Sequence, residues 1–151
     1  MNSKRKDDGL TRDIFGKRTD KTGKRDLTFN FWHRKYLSNK CYATDIDFYE
    51  YREIKGDFIP KAFLEVKQAH VKQKKYLCGA NSRAIFLLAH KIGIRFFIIL
   101  YKLKNPKTLE CEFWVWEPNS LEEFEKYDEN KFEIFFKKYT NKQLVQLLES
   151  L

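Results

Sequence analysis

The clearest alternation of hydrophobic and polar positions in the chain runs from Asp45 to Lys67, DIDFYEYREIKGDFIPKAFLEVK, and predicts two strands joined by a turn. The first carries Asp45 and Asp47 and continues through Phe48, Tyr49, Glu50 and Tyr51 to about Ile54. Lys55-Gly56-Asp57 supplies the turn. The second has Pro60 at its entrance, where a missing N–H is tolerated, and ends in Glu65-Val66-Lys67. Side chains of a strand alternate between faces, so Asp45 and Asp47 share one face, as do Glu65 and Lys67. Register decides whether the two sets meet. A turn centred on Gly56 sets Asp47 opposite Glu65. A two-residue turn at Lys55-Gly56 sets Glu65 opposite Ile46 and turns the faces apart unless a bulge restores them.

Beyond the hairpin, Gln68 to Ala80 is a polar, lysine-rich connection. Asn81 or Ser82 is then placed to cap a helix to about Ile92, with Ala84, Ile85, Leu87 and Leu88 inward and Gly93 as its stop. Ile94 to Tyr101, IRFFIILY, is an apolar run suited to a strand buried on both faces. Leu109 to Glu117 alternates as a further strand, and Ser120 with Glu123 has the spacing of a capping box for a helix to about Tyr127. Phe132 to Tyr139 and Asn141 to Leu151 are expected as closing helices, the second with Leu144, Leu147, Leu148 and Leu151 at helical spacing. That apolar face suits either the sheet or a second subunit of a homodimer. The sum is an α/β fold, a mixed central sheet flanked by helices.

Upstream the pattern weakens. Residues 1–26 are mostly charged and polar, with Leu10, Ile14 and Phe15 as clustered hydrophobes, and are expected to form a basic, flexible N-terminal segment. It suits either an arm on nucleic acid or a solvated tail. Leu27 to Leu37 is aromatic enough to pack as a strand or a short helix. Residues 27–151 are therefore read as one domain, a size that supports a real core.

Charge adds a partner class. A net charge of +9 points to a polyanion, since basic surface attracts phosphate backbones and releases their counterions. No run approaches the roughly 20 apolar residues of a membrane span, and the N-terminus lacks the apolar stretch of a secretory signal, so an intracellular, cytoplasmic protein without a membrane partner is expected. Cys41, Cys78 and Cys111 are odd in number and contain no CxxC pair, which favours reduced, packed thiols.

The chemistry centres on the hairpin. A sheet normally places Val, Ile or Phe where this chain has Asp45, Asp47, Glu65 and Lys67. Cross-strand ion pairs are one explanation. Divalent metal binding is the other: Mg²⁺ is held by one or two carboxylates with water and phosphate oxygens, and a nearby lysine can orient an attacking water, as phosphodiester hydrolysis requires. Around this centre Gln68 follows the second strand, and Lys72, Lys74, Lys75 and Arg83 form a basic cluster near the next helix N-terminus, a favourable place for phosphate. Gln68 and His70 lie just past the E-x-K of Glu65 to Lys67, where they are placed either to touch a scissile phosphate or water or to be plain surface residues. His33 beside Trp32 is read as packed, with support of the site as its alternative, and His90 as facing solvent or the helix end.

An acid on one strand, E-x-K on the next, then a helix and a strand: over about Cys41 to Tyr101 this order resembles the PD-(D/E)XK nuclease superfamily, including its small viral and archaeal members. Ile46 stands where many members have proline, and no upstream glutamate matches that of some members. The resemblance implies a restriction-endonuclease-like core and a Mg²⁺-dependent deoxyribonuclease, an endonuclease on DNA, with RNA also open. It makes Asp47, Glu65 and Lys67 catalytic. Asp47, Glu65 and the Val66 carbonyl would hold Mg²⁺ or Mn²⁺, with Asp45 auxiliary or in Asp47's place, and Lys67 would act on the water. The alternative is a noncatalytic nucleic-acid-binding or assembly protein on the same fold.

Overall fold

The computed structural model describes residues 28–38, 40, 42–69 and 77–151. The described residues up to Ala43 belong to one compact unit and Thr44–Leu151 form another. In the first, α1 (Thr28–Tyr36) resolves the strand-or-helix alternative in favour of helix. It sets Phe29, Trp32 and Tyr36 along one side, with successive ring centroids 5.5 and 5.9 Å apart. The expected flexible segment 1–26 lies outside the described residues.

In the second unit, among the described residues, five strands form one mixed sheet in chain order: β1 (Phe48–Ile54), β2 (Asp57–Gln68), β3 (Arg95–Asn105), β4 (Glu110–Trp116) and β5 (Lys137–Tyr139). Neighbours are antiparallel except β2 and β3, which run parallel across a connection carrying α2 (Ala80–Ile92). A parallel pair needs such a crossover, and the helix supplies it. The architecture is thus α/β, a mixed sheet flanked by helices, as the hydropathy pattern predicts.

The centre is built by β3. Phe96 to Leu100 are all buried because both sheet faces are covered. On one face, Phe63, Phe96, Ile98, Leu100 and Trp116 pack under Ile85, Phe86 and Ala89 of α2 and under Phe124, Phe132 and Phe136. These last come from α3 (Leu121–Lys126), α4 (Phe132–Phe135) and the residue after it. On the other face, Ala62, Leu64, Phe97, Ile99 and Val115 meet Leu144 of α5 (Asn141–Glu149), with Leu147, Leu148 and Leu151 half-buried beside it. The C-terminal leucines therefore close the core. Burial of each large side chain contributes about 1.5–3 kcal/mol.

Four local expectations change. Gly79 occupies the N-cap of α2 without a side-chain cap, and Ser82 is buried instead of capping. The buried face of that helix is Ser82, Ile85, Phe86 and Ala89, while Ala84, Leu87 and Leu88 are exposed. Docking on β2 and β3 chose the phase, which a helix apolar on two sides leaves open. Ser120 is the N-cap of α3 but makes no side-chain cap bond; Glu123 reaches back to accept from the Asn119 N–H at 3.1 Å. Phe132 to Tyr139 is not one helix: it breaks after Phe135, and Lys137–Tyr139 pairs with β4 as the sheet's short last strand. Gly93 does end α2, at φ 75°.

Candidate functional site

The turn and the strands together decide how the hairpin presents its acids. Lys55 and Gly56 have φ of 55° and 88°, the twist of a two-residue type I′ turn, and Ile54 pairs with Asp57. That register alone would set Glu65 opposite Ile46. A bulge intervenes: Tyr51 pairs with Pro60 and Glu50 with Ala62, leaving Lys61 as the extra residue. From there Tyr49 pairs with Phe63 and Phe48 with Leu64, so the next step sets Asp47 opposite Glu65. Pro60 lies inside β2, not at its entrance, on the part that β3 does not reach, since β3 pairing begins at Ala62.

The first strand begins at Phe48, so Asp45 and Asp47 do not lie within it as expected: Asp45 is in the irregular segment before it and Asp47 at the bend that opens it. This freedom from the ladder gives Asp47 its contact. Its Oδ2 accepts a hydrogen bond from the Val66 backbone N–H at 2.9 Å, where a longer β1 would have supplied a carbonyl. A strand residue directs its N–H and C=O toward the same neighbour, so the Val66 carbonyl opens into the same gap. Ala69 donates the other way, to the Tyr101 carbonyl on β3, as alternation requires.

Glu65 and Lys67 share the α2-side face with Phe63. Glu65 is only 6% exposed and makes an ion pair with half-buried Lys67 through Oε1 and Nζ. A carboxylate taken out of water costs several kcal/mol unless paired, so Lys67 compensates Glu65. Asp47 and Asp45 are exposed. The hairpin is anchored from its other face by Arg52, whose guanidinium donates to the Leu148 carbonyl at the end of α5.

The outlying candidates divide. Gln68 is exposed as the last residue of β2. Arg83, in the first turns of α2, is half-buried and donates through Nε to the Cys78 carbonyl at 3.1 Å, so it braces the helix entry. Lys72, Lys74, Lys75 and His70 lie outside the described residues. His90 is exposed and stacks on Phe86, with centroids 6.1 Å apart; His33 lies on α1, its ring tilted against Phe29. Burial pushes the half-buried Cys78 thiol up to about 12, partly offset by Arg83, as suits a packed thiol.

Two carboxylates and a carbonyl are hard oxygen donors of the kind Mg²⁺ takes, with water completing its shell. Asp47 has a second oxygen beyond the one bound to Val66. Among the described residues no three His, Cys, Asp or Glu side chains converge as a metal-binding group. One feature escaped the sequence reading: Tyr49 and Tyr51 continue the alternation that begins at Asp47, and their rings lie on the Glu65 face. The i, i+2 spacing was the available signal.

No protein-family model matches the chain, and neither a curated protein nor a solved structure matches it.

Proposed function

We propose that this chain is a metal-dependent endonuclease that hydrolyses phosphodiester bonds of DNA, on a restriction-endonuclease-like core. The observation that carries the reading is the Asp47 carboxylate bound to the Val66 N–H beside the Glu65–Lys67 pair. It supports a role for the bulge in bringing the acid at the bend before one strand to an E-x-K on the next. Asp47, Glu65 and the Val66 carbonyl are the residues to hold Mg²⁺ or Mn²⁺, with Asp45 as an auxiliary acid. Held there, such a cation would supply neutralisation of phosphoryl charge and a more acidic water. Lys67, drawn to Glu65, is the group to orient the attacking water and hold its position. Gln68 and Arg83 are candidates for contacting the phosphate backbone.

The test is cleavage of linear, circular, single-stranded and branched DNA, and of RNA, in Mg²⁺, Mn²⁺ or EDTA. Asp47→Ala, Glu65→Ala and Lys67→Ala should each abolish metal-dependent cleavage while nucleic-acid binding persists. Undiminished cleavage by Glu65→Ala would remove the assignment.

The burial of Glu65 and its ion pair favour a second reading, a noncatalytic nucleic-acid-binding or assembly protein in which Lys67 compensates a structural acid. That reading predicts salt-sensitive binding, no turnover with any metal, and complexes indifferent to EDTA. No helix among the described residues is long and apolar enough to cross a membrane.

A further inference from the structure

The strand β1 forms one edge of the sheet. Among the described residues it pairs with β2 alone, and no backbone–backbone bond outside that ladder involves Phe48–Ile54. Which of its groups point outward follows from the turn. Ile54 and Asp57 close the two-residue loop, where facing residues exchange both hydrogen bonds. Alternation then directs Arg52, Glu50 and Phe48 to β2 and leaves the N–H and C=O of Tyr49, Tyr51 and Glu53 pointing away from it. The bulge does not disturb this, because its extra residue, Lys61, is on β2. The far end agrees: the Val66 N–H faces the β1 side, so Leu64 two residues earlier does as well, and its partner is Phe48. Pro60, with no N–H to offer, stands opposite outward-facing Tyr51.

We infer that β1 is a self-complementary edge, at which two copies of this chain pair antiparallel about a twofold axis through Tyr51. In that register Tyr51 faces Tyr51 of the second copy and Tyr49 faces Glu53, so every outward N–H and C=O finds a partner. The side chains select the same register. Glu50 lies opposite Arg52 of the second copy, and Phe48, 54% exposed, lies opposite Ile54, 51% exposed. A slip of two residues is the next register that brings outward groups together. It sets Glu50 against Glu50 or Arg52 against Arg52, and like charges directly opposite repel. Arg52 already stands at this edge: its Nη1 donates to the outward Tyr51 carbonyl at 3.0 Å and lies 3.4 Å from Glu50. Pairing replaces the first contact by the Tyr51 N–H of the second copy and gives Arg52 a second carboxylate. Charges on an open edge commonly guard it against association, whereas these complement their own copies. The two five-stranded sheets become one continuous sheet, a pairing that does not depend on the proposed hydrolase.

The experiment is sedimentation equilibrium of the full chain over a range of concentrations, without nucleic acid or metal. Wild type should show a monomer–dimer equilibrium. Tyr51→Pro removes an N–H that β2 does not use, and with it the two central bonds of the dimer, so the dissociation constant should rise about tenfold. Glu50→Arg sets arginines opposite each other on both sides of the axis and should raise it by about as much. The double variant Glu50→Arg/Arg52→Glu restores opposite charges and should recover most of that loss. Matched melting curves establish that the variants are folded, and if Tyr51→Pro unfolds, the charge exchange decides. A wild type that stays monomeric throughout, a dimer unmoved by Glu50→Arg or by folded Tyr51→Pro, or a double variant no tighter than Glu50→Arg would overturn the edge. Cleavage of DNA in Mg²⁺ is scored separately, so a dimer without cleavage keeps the edge and removes the hydrolase, and a cleaving monomer does the reverse.

Discussion

The β1–β2 hairpin and the β3–β4 pair are both antiparallel, yet they use their side chains in opposite ways. In β3, five consecutive residues are buried between two helical layers, and Val115 and Trp116 of β4 join them. In the hairpin, every residue from Asp57 to Pro60 is exposed, and so is most of β1. β2 belongs to both regions. Its first part pairs only with β1, and from Ala62 it is held between β1 and β3. The candidate site lies at the start of β1, beyond which β2 continues on β3 alone, so the buried centre positions Glu65 and Lys67 while a lightly packed arm carries Asp47 and the exposed rings. Difference in burial is what separates the exposed arm from the core.

The largest effect that would test this contrast is in the centre. Phe97→Ala should cost about 3–5 kcal/mol in urea unfolding, because it empties a fully buried position, whereas Tyr51→Ala should stay within about 1 kcal/mol. Comparable losses at the two positions would mean the arm is as integral as the core. Next is the turn. Gly56→Ala should lose about 1–2 kcal/mol, all of it backbone strain, since no atom lies within 4 Å of an added Cβ. Lys55→Asn should shift the midpoint the other way by less, because asparagine tolerates the positive φ better than lysine. Urea midpoints of the two variants, read beside cleavage, show whether loosening the turn also displaces Asp47.

The smallest effect is at the far side of the sheet. Glu112 of β4 accepts from Lys138 of β5 at 2.8 Å and from Lys104 of β3 at 2.9 Å. These two bonds, Lys138 first, hold its carboxyl down at about 2 instead of the usual 4.5. A depressed carboxylate stabilises the fold fully above its unfolded value and loses that contribution as the pH falls through its folded value. The melting-temperature difference between wild type and Glu112→Gln should therefore be constant above about pH 5 and shrink between 4.5 and 2. It should also shrink in high salt, as expected for a pair open to solvent. A difference that does not change with pH would remove the three-strand ion link.

Charge divides the molecule along the same lines as its two units. Residues 1–43 hold 12 Lys and Arg against 5 Asp and Glu, a balance of +7, and residues 44–151 hold 18 against 16, a balance of +2. The positive charge of the chain thus belongs mainly to residues 1–43. The unit that holds the sheet is close to neutral.

Much of this was legible in the sequence because its causes are local. Alternation over Phe48 to Lys67, the apolar run before Tyr101 and the glycine after Ile92 each act within a few residues, and each marks an element of the fold. The sequence by itself determined that Glu65 and Lys67 share a face, since strand geometry allows nothing else. It also limited Asp47 to two outcomes, facing Glu65 or turned away. Tertiary structure decided between them. The I′ turn chose the register that separates the acids, and the bulge at Lys61 reversed it, because the core positions Ala62, Phe63 and Leu64 must meet β3 in phase. The bond from Val66 to Asp47, the exposed side of α2 and the pairing of Lys137–Tyr139 depend on residues distant in the chain, and no local pattern encodes them.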